Sequence, residues 1–533
     1  MTHQRSGRWR ALALPAGLAL VASLGLLPGT ATAEQGGGPA PSPAPAAGPG
    51  MSYVVNTGTD RRTMASVEQA VSRAGGSVVM AYDEVGVIVA HSSNPDFAKV
   101  LRGTRGVASA GATRTAPLPA KNAEPGKSPG SGRSAKSAKS AKSAKETASP
   151  LRLTARQQKA LAAKAAPGQD PMEPLQWDMR AIKADQAHRK TLGSRDVTVA
   201  VIDTGVDDTH PDIAPNFDRR GSANCSTGKP DTTDGAWRPG AGGNPHGTHV
   251  AGEIAGAKNG VGMTGVAPGV KVSGIKVGTA DSFFYTEAVV CAFVWAADHG
   301  ADVTNNSYFT DPWYFDCSDD PDQKALADAV TRATRYAERK GTVNVAAAAN
   351  EGFDLASHKV TDATSPDDGT AVPRTVDPAT CPELPAQLPG VVTVSATGAK
   401  NLKSSYSNYG LGVVDIAAPG GDSATYQPPE APATSSAVLG PVPGGGYAYM
   451  AGTSMASPHV AGVVALIKSR HPHASPAQVK ALLYAGADRL GCPEPYPIDA
   501  DGDGKPDAVC RGGAGHNSFY GAGLADALHA VTR

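Results

Sequence analysis

A serine at the start of an apolar run carries the clearest chemical signal in this chain. Ser454 lies in the segment Gly452-Thr-Ser-Met-Ala-Ser-Pro-His-Val-Ala-Gly462, a turn that runs into an apolar stretch typical of a buried helix. A hydroxyl at a helix N-terminus lies beside backbone N–H groups and the positive end of the helix dipole, which favour negative charge. A nucleophile that attacks a carbonyl and leaves an oxyanion needs that environment. We therefore expect Ser454 to be a nucleophile.

A serine hydroxyl reacts only when a base removes its proton and an acid orients that base. His246 begins the motif HGTHVAG, another polar start to an apolar helical run, and supplies a candidate base. Asp203 follows the β-branched run Val197–Ile202, at the carboxyl end of a predicted buried parallel strand, where open α/β sheets place their sites. The chain order Asp, His, Ser differs from the order Ser, Asp, His of α/β-hydrolases, and the serine lies in G-x-S-x-A instead of G-x-S-x-G.

The elements that position these three residues follow from the pattern after about residue 170. Apolar β-branched runs alternate there with helical periodicity. Strand–helix alternation of this kind predicts an α/β fold with a parallel sheet and helices on both faces. The predicted strands are 197–203, 270–277, 301–307, 342–348 and 391–396, and the predicted helices are 286–299, 322–340, 454–469 and 476–485.

The segments VIDTGVDDTHPDI, HGTHVAG and GTSMASPHVAG occur in this order, and with them the chain resembles the secreted subtilisin-like serine proteases, the subtilase family. The resemblance covers about residues 170–533. It implies a three-layer subtilisin-like fold with a mostly parallel sheet, and hydrolysis of extended polypeptides by an endopeptidase through an acyl-enzyme. Asp203 would orient the imidazole, His246 would act as base and then acid, and Ser454 would be acylated. Asn350 would be the oxyanion-hole asparagine, preceded by Ala349 where the family usually has glycine.

The resemblance also implies how substrate binds, since subtilases hold the substrate backbone as an extra strand. The candidate subsite residues are Ser307, Tyr308, Phe309, Ser282, Phe283, Phe284, Ala347, Ala348, Ala349 and Glu351. Phe283 and Phe284 suggest an apolar lip, although two phenylalanines are more often ordinary packing. The family usually has glycine where Phe309 stands. We expect broad endopeptidase action with an apolar bias.

Two segments are candidate sites for structural Ca²⁺, while no catalytic cofactor is implied. By resemblance, Asp212 and the loop Ala257–Met263 would bind the ion through the Asn259 side chain and the carbonyls of Ala257, Val261 and Met263. The alternative is a plain loop with a surface aspartate.

The second segment, 499–510, has carboxylates at Asp499, Asp501, Asp503 and Asp507 and begins like an EF-hand loop. Position 12 is Cys510 and not glutamate, so the segment is either a partial calcium loop or a solvated acidic turn.

The N-terminal part divides into four predicted segments. Residues 1–33 have an Arg-containing start, an apolar stretch and an Ala-Thr-Ala end, which predict a secretory signal peptide; an uncleaved anchor is the alternative. Residues 34–51 are a Gly/Pro/Ala-rich linker. Residues 52–118 have a small α+β pattern, with Asn94 as a helix cap, similar to the inhibitory pro-domain of subtilases. Residues 119–169 contain Ser-Ala-Lys repeats, interpreted as a soluble linker or as a polyanion-binding tail, before the catalytic domain 170–533.

Charge and cysteine content restrict the class further. Residues 1–170 carry 21 Lys and Arg against 9 Asp and Glu, whereas residues 171–533 carry 28 against 40. The basic N-terminal part could help bind the acidic remainder of the chain before the two are separated, or its lysines could simply solvate a linker. The acidic charge of residues 171–533 argues against nucleic-acid binding. The six cysteines of this predicted exported chain suggest up to three disulfides. Six cysteines allow 15 sets of pairs, and the sequence does not show which set forms. Cys492 with Cys510 is the simplest pair, with Cys317–Cys381 and Cys225–Cys291 completing the set.

The leading hypothesis is therefore a secreted, extracellular serine endopeptidase made as an autoprocessed precursor. Its partners would be polypeptide substrates and its own pro-domain, and we expect a monomer without a membrane anchor after signal removal. A catalytically inactive scaffold is disfavoured by the complete set Asp203, His246, Asn350 and Ser454. An exopeptidase or a dedicated processing protease remains open from sequence.

Overall fold

The chain was described with a computed structural model. It describes residues 48–119, 149–150, 156, 160–161, 163, 167–494, 496–499, 502 and 504–533. The predicted signal peptide, most of the predicted linker 34–51 and the Ser-Ala-Lys repeats lie outside these residues. No helix in the described part is long and apolar enough to span a membrane.

A seven-stranded parallel sheet forms the centre of the larger part of the protein, which confirms the predicted α/β class. The run Thr198–Asp203 is entirely buried because helices cover both faces of the sheet. The four other predicted strands are confirmed, with ends that agree within two residues. The strand order is Ile416–Pro419, Val392–Thr397, Val343–Ala347, Val303–Asn306, Thr198–Asp203, Lys271–Lys276 and Ala223–Asn224.

Alternation along the central strand gives each face its own core. Val199 and Val201 belong to a cluster that includes the helices His246–Ala255 and Thr453–Arg470, here named the His246 helix and the Ser454 helix. Ala200 and Ile202 point to the other face and belong to a second cluster. Helices on that face are Thr286–Asp298 and Pro321–Arg339; others are Trp177–Ala181, Ala184–Ala187, Pro476–Gly486 and Ala527–Thr532.

A smaller α/β unit precedes the sheet domain, as the pattern over 52–118 predicts. Four antiparallel strands lie in the order Gly76–Tyr82, Val87–Ser92, Met51–Thr57 and Val107–Ala112, with the helices Arg61–Arg73 and Phe97–Arg102. The predicted Asn94 cap is wrong. The helix begins at Phe97 after Asp96, and Asn94 instead closes a turn by accepting a hydrogen bond from the Asp96 N–H at 3.0 Å.

This N-terminal unit packs against the helix Pro321–Arg339. Asn56 donates to the Ala325 carbonyl at 2.9 Å, and Ser109 donates to the Asp328 carboxylate at 2.7 Å. Gly111 makes the approach possible, since a Cβ there would lie 2.6 Å from the Asp322 carbonyl oxygen. A buried ion pair joins Arg114 to Glu287 on the neighbouring helix.

Three disulfides connect the expected cysteines: Cys225–Cys291, Cys317–Cys381 and Cys492–Cys510. The remaining described elements are short. They are the strands Ser149–Pro150, Val360–Asp362, Arg374–Val376, Val438–Val442, Gly446–Met450, Gly512–Gly513 and His516–Asn517, and the 3-10 turns Glu173–Leu175 and Ala214–Asn216.

Candidate active site

A carboxylate and an imidazole meet at the carboxyl end of the central strand. Asp203 is the last residue of that strand, and its two oxygens lie 2.9 and 3.0 Å from His246 Nδ1. His246 is the first residue of its helix, and both side chains are buried. Gly247 permits the contact because a Cβ there would lie 3.0 Å from the Asp203 Cβ. This geometry holds one imidazole nitrogen on the carboxylate and presents the other ring edge for proton transfer.

Ser454 lies in the first turn of its helix, as the sequence predicts. Pro458 lies four residues later and has no N–H, so the Ser454 carbonyl receives no helical hydrogen bond from that position. Ser307 takes the place of the missing donor, with its hydroxyl donating to the Ser454 carbonyl at 2.9 Å. The Ser454 hydroxyl in turn lies 3.4 Å from the Ser307 carbonyl. The proline thus couples the serine turn to the segment after a neighbouring strand.

Asn350 contacts the same helix terminus from the other side. Its Oδ1 accepts from the Thr453 N–H at 2.8 Å and from the Thr453 hydroxyl at 2.9 Å. The amide therefore lies one residue away from Ser454 along the chain. Since Oδ1 accepts from Thr453, the NH₂ is the part of this amide that has the chemistry to donate to an oxygen.

Sheet register brings the two halves of the site to one edge. Ile202 pairs with Asn306 across adjacent parallel strands, so Asp203 and Ser307 are the next residues at the same edge. Ser307 contacts Ser454, and Asp203 contacts His246. The four candidate catalytic residues are therefore brought together by strand order and one hydroxyl–carbonyl contact.

Backbone hydrogen bonds join the chain at the ends of the two candidate substrate segments. The Asp311 N–H donates to the Phe284 carbonyl at 3.1 Å, and the Phe284 N–H donates back to the Asp311 carboxylate. Phe284 stacks on Tyr308 with ring centroids 4.9 Å apart. Burial, and secondarily the nearby Asp203 carboxylate, raises the pKa of the Tyr308 phenol. Phe283 lies against Tyr285 with ring centroids 5.7 Å apart, and Ser282 has a positive φ of 65°.

The other predicted wall follows the strand Val343–Ala347, which continues through Ala348 and Ala349 to Asn350. Ala349 has a φ of 65°, a left-handed conformation that glycine adopts without strain, which gives a backbone reason for the family's usual glycine here. Glu351 turns back on the chain, and its carboxylate accepts from the Asn350 N–H at 2.9 Å and from the Tyr314 hydroxyl.

The predicted metal loop does surround Asp212. The Ala257 N–H donates to the Asp212 carbonyl at 2.7 Å, and the Met263 N–H donates to Asp212 Oδ2 at 3.0 Å. The Asn259 amide donates to the Pro211 carbonyl, and Val261 is 45% exposed at the loop tip. Asp212 Oδ1 is buried and has no hydrogen-bond partner among the described residues. Burial raises the pKa of this carboxyl to about 6, which indicates an environment short of positive charge.

Sequence reasoning missed two groups at that loop. Tyr447 donates from its hydroxyl to Asp212 Oδ2 at 2.8 Å, and Asp170 accepts from the Gly260 N–H at 2.6 Å. In the acidic segment near the C-terminus, Asp499 accepts from the N–H groups of Gly502 and Gly504. Asp507 donates its backbone N–H to Ile498, whereas Asp501 and Asp503 lie outside the described residues.

A buried polar network connects the two catalytic helices from behind. His249 Nδ1 lies 2.6 Å from Glu253 Oε1 on the His246 helix. His459, on the Ser454 helix, lies 3.1 Å from the Asp178 carboxylate and 3.4 Å from Glu253 Oε2. Glu253 thus contacts a histidine on each helix. Both histidines belong to the sequence motifs HGTHVAG and GTSMASPHVAG, whereas no sequence signal points to the shared carboxylate.

Comparisons with known proteins agree with this geometry. A family model described as the subtilase family matches residues 194–523. Subtilisin BL of Lederbergia lenta is 33% identical over 322 residues, a match that covers 60% of this chain and 94% of that protein.

Two solved structures share the fold. The epidermin leader peptide processing serine protease (EpiP) of Staphylococcus aureus has a TM-score of 0.61 and 23% identity, and the match covers 91% of this chain and 98% of that chain. The shared fold therefore extends beyond the sheet domain into the N-terminal unit. Fervidolysin of Fervidobacterium pennivorans, described as a keratinolytic enzyme related to subtilisin, has a TM-score of 0.56 and 22% identity over 92% of this chain and 62% of that chain. Since the family model matches more than half of the sequence, the protein belongs to the subtilase family and is a subtilisin-like serine endopeptidase.

Proposed function

We propose that this protein is a secreted endopeptidase that cleaves extended polypeptides through an acyl-enzyme on Ser454. The observation that carries the proposal is the meeting of the Asp203–His246 pair, Ser454 and Asn350 at one edge of the sheet. Each residue suits its proposed role. The Asp203 carboxylate contacts the His246 imidazole, Ser454 lies at a helix N-terminus, and the Asn350 amide is fixed beside it.

The chemistry proceeds in two halves. His246 takes the Ser454 proton as Ser454 Oγ attacks the scissile carbonyl, and Asp203 stabilises the resulting imidazolium without taking its proton. The Asn350 amide and the Ser454 backbone N–H donate to the oxyanion, a stabilisation of which one donor contributes about 10²–10³ in rate. His246 then protonates the leaving amine. In the second half His246 activates water, which releases the acyl group by the same steps.

Calcium would stabilise the fold at the loop around Asp212. A buried carboxylate oxygen without a partner, surrounded by backbone of the loop Ala257–Met263, is the type of hard oxygen donor that Ca²⁺ prefers. The Asn259 side chain and the carbonyls of Ala257, Val261 and Met263 would complete the set. Bound there, the ion would neutralise the buried charge and fix the loop. The acidic segment from Asp499 remains a predicted second site.

The N-terminal unit would act as an inhibitory and folding pro-domain in a precursor. Its support is the docked interface with the helix Pro321–Arg339 and the buried Arg114–Glu287 ion pair. Removing the unit would leave the buried Glu287 carboxylate without its Arg114 partner, which is unfavourable. We therefore expect the N-terminal unit to stay bound until the chain that connects it to the sheet domain is cut. Self-cleavage within residues 119–170 would produce the mature enzyme.

Intact-mass measurement on the expressed precursor tests this proposal. The wild-type chain should lose its leader, whereas Ser454→Ala should remain whole, and the mass of the wild-type product gives the mature N-terminus. Equal processing of both chains would contradict self-cleavage. Products from an unfolded protein substrate should be internal fragments of mixed length; stepwise loss of single terminal residues would contradict the endopeptidase assignment for this chain.

A further inference from the structure

A fully buried glutamate beside the candidate cleft has no partner for its charge. Glu383 is 0% exposed, and within the described residues neither of its carboxylate oxygens has a hydrogen-bond partner. Its backbone is satisfied, since the N–H donates to the Gln387 side chain at 2.9 Å and the carbonyl accepts from the Gln387 N–H at 3.0 Å. Burying a carboxyl without a partner is energetically costly, so such a group calls for an explanation in a ligand or a reaction.

Backbone contacts hold Glu383 beside the chain that follows the substrate segment Ser307–Phe309. The Thr310 N–H donates to the Leu384 carbonyl at 2.8 Å, directly after the substrate segment Ser307–Phe309. The Asp316 N–H donates to the Pro382 carbonyl at 3.0 Å, which fixes the chain on the other side of Glu383. The glutamate is thus held next to the end of one predicted substrate wall.

A second carboxylate, Glu351, lies near enough to Glu383 for its charge to act on it. Glu351 follows Asn350 directly, and burial, with the Glu351 charge second, raises the pKa of Glu383 well above its usual range. Tyr314 is near both carboxyls. Its hydroxyl donates to Glu351, and burial, followed by the charges of Glu351 and Glu383, raises the pKa of its phenol. Glu351 is only partly buried, so this pair extends from the cleft surface toward the interior.

The side chains packed around Tyr314, which contacts Glu351, are apolar. Phe309, Ala349 and Phe353 pack on the cluster that contains Tyr314, and the rings of Phe309 and Tyr314 lie 4.9 Å apart. A site with aromatic sides and an unpaired acid at its end suits a side chain with a long apolar stem and a cationic head. Lysine and arginine have that shape, whereas an apolar side chain would leave Glu383 without a partner.

We propose that the residue preceding the scissile bond, P1, is lysine or arginine, and that Glu383, with Glu351, binds its charge. This inference rests on the proposed function and names the substrate class of the same site. It replaces the apolar bias at P1 that the sequence favours, while the apolar lip at Phe283 and Phe284 is unaffected. A buried acid that becomes an ion pair only when the correct side chain enters discriminates strongly, because the wrong side chain leaves the carboxyl unpaired.

The chain itself contains a matching substrate. Four lysines, Lys136, Lys139, Lys142 and Lys145, alternate with Ser-Ala in the segment that must be cut to separate the N-terminal unit. Further basic residues follow at Arg152, Arg156, Lys159 and Lys164. Under the proposal, self-cleavage of the precursor should follow a lysine or arginine of this segment.

The test uses peptides identical except for P1, which is arginine, its uncharged isostere citrulline, or leucine, with the mature product of the full-length precursor as enzyme. The wild-type enzyme should show a kcat/KM for arginine at least about tenfold above citrulline, corresponding to about 1.4 kcal/mol, and also above leucine. Glu383→Gln keeps the shape and removes the charge, so the arginine-to-citrulline ratio should approach one. Glu338→Gln, which breaks only a distant pair with Lys480, is the matched control and should keep the wild-type ratio.

The outcomes separate the two levels of the account. Cleavage by the wild-type enzyme that favours leucine, or that treats arginine and citrulline alike, would overturn the P1 assignment while leaving the endopeptidase function intact. A wild-type preference for arginine that survives in Glu383→Gln would overturn the role of Glu383. If Glu383→Gln does not fold, Glu351→Gln should still lower the ratio, and an unchanged ratio there would count against the pair. Failure to cleave any peptide would overturn the proposed function and this inference together.

Discussion

At the residue scale, the site depends on backbone groups at the start of the Ser454 helix that have no hydrogen-bond partner within the helix. Pro458 removes the donor for the Ser454 carbonyl, and the Ser307 hydroxyl replaces it at 2.9 Å. Asn350 caps the same helix by accepting from the Thr453 N–H, and its NH₂ is the proposed oxyanion donor. A single side chain therefore has both a structural and a proposed chemical role, and the two can be separated by substitution.

Asn350→Asp and Asn350→Ala should differ in stability but not in activity. Aspartate keeps the acceptor for the Thr453 N–H, whereas alanine loses it, so only Asn350→Ala should lower the free energy of unfolding, by about 1 kcal/mol. Both lose the neutral NH₂ donor, and both should lower kcat by at least about 10²-fold with a smaller change in KM. Urea unfolding in a Ser454→Ala background and peptide kinetics in the active background measure the two effects. An active Asn350→Asp enzyme would contradict the oxyanion role.

At the element scale, the sheet strands were predictable because their buried runs are long and β-branched, as in Thr198–Asp203. The strand Val107–Ala112 has the sequence VASAGA, which lacks that signal, and pairing with Met51–Thr57 supplies its conformation. The hairpin Val438–Val442 with Gly446–Met450 was also missed, although the Gly-rich turn between two apolar runs is a usable signal.

The residues of the candidate site also differ in how far the sequence predicts them. Asp203, His246 and Ser454 each belong to a local motif, so sequence alone singles them out. Glu383 belongs to no motif, and it is 32 residues from Glu351 in the sequence, so only the fold brings the two near each other. Long-range convergence of single residues leaves no periodic trace in a sequence.

The segment after the strand Val392–Thr397 buries a lysine, and its charge state should affect stability. Lys403 Nζ donates to the carbonyls of Ser404 and Ser407 at 2.8 and 2.9 Å, among the rings of Tyr409, Tyr496 and Phe519. Burial lowers the pKa of this amine to about 7, against about 10.4 in an unfolded chain. Between these values the unfolded chain binds the additional proton, so this group makes the protein more stable as pH rises.

Comparison with Lys403→Met tests that sign. In a Ser454→Ala background, the free energy of unfolding of the lysine chain should rise relative to the methionine chain between pH 7 and about pH 10. The slope should approach about 1.4 kcal/mol per pH unit. Urea unfolding at several pH values measures it. Parallel profiles for the two chains would show that the lysine keeps an ordinary pKa in the folded protein.

At the scale of the whole molecule, the N-terminal unit packs on the sheet domain, and Gly111 lies in close backbone contact with Asp322. Gly111→Val should separate the surfaces, because its Cβ would lie 2.6 Å from the Asp322 carbonyl oxygen. In the full chain with Ser454→Ala, added trypsin should then remove residues 51–119 faster. Gly103→Val is the control, since its nearest atom would be 3.5 Å away. Equal digestion of the two variants would contradict the docked arrangement.

Calcium binding at the Asp212 loop predicts a metal-dependent stability of the whole sheet domain. Removing Ca²⁺ with EGTA should lower the free energy of unfolding, by about 2.7 kcal/mol if the ion had been present at 100 times its Kd. Asp212→Asn should make the protein insensitive to EGTA, because the carboxylate with the unpartnered oxygen is lost. Calorimetry of the Ser454→Ala chain with and without EGTA measures the change. An EGTA effect of equal size in both chains would assign the calcium to another place.

The central claim is that Ser454 is a nucleophile activated by His246 and Asp203. An organophosphonate that reacts only with activated serines tests it most directly, with intact mass and peptide mapping as readout. We predict one adduct per chain, located on Ser454, and labelling slowed by at least about 10³-fold in Asp203→Asn and in His246→Ala. Absence of labelling, labelling at another serine, or labelling at the wild-type rate in those two variants would contradict the account.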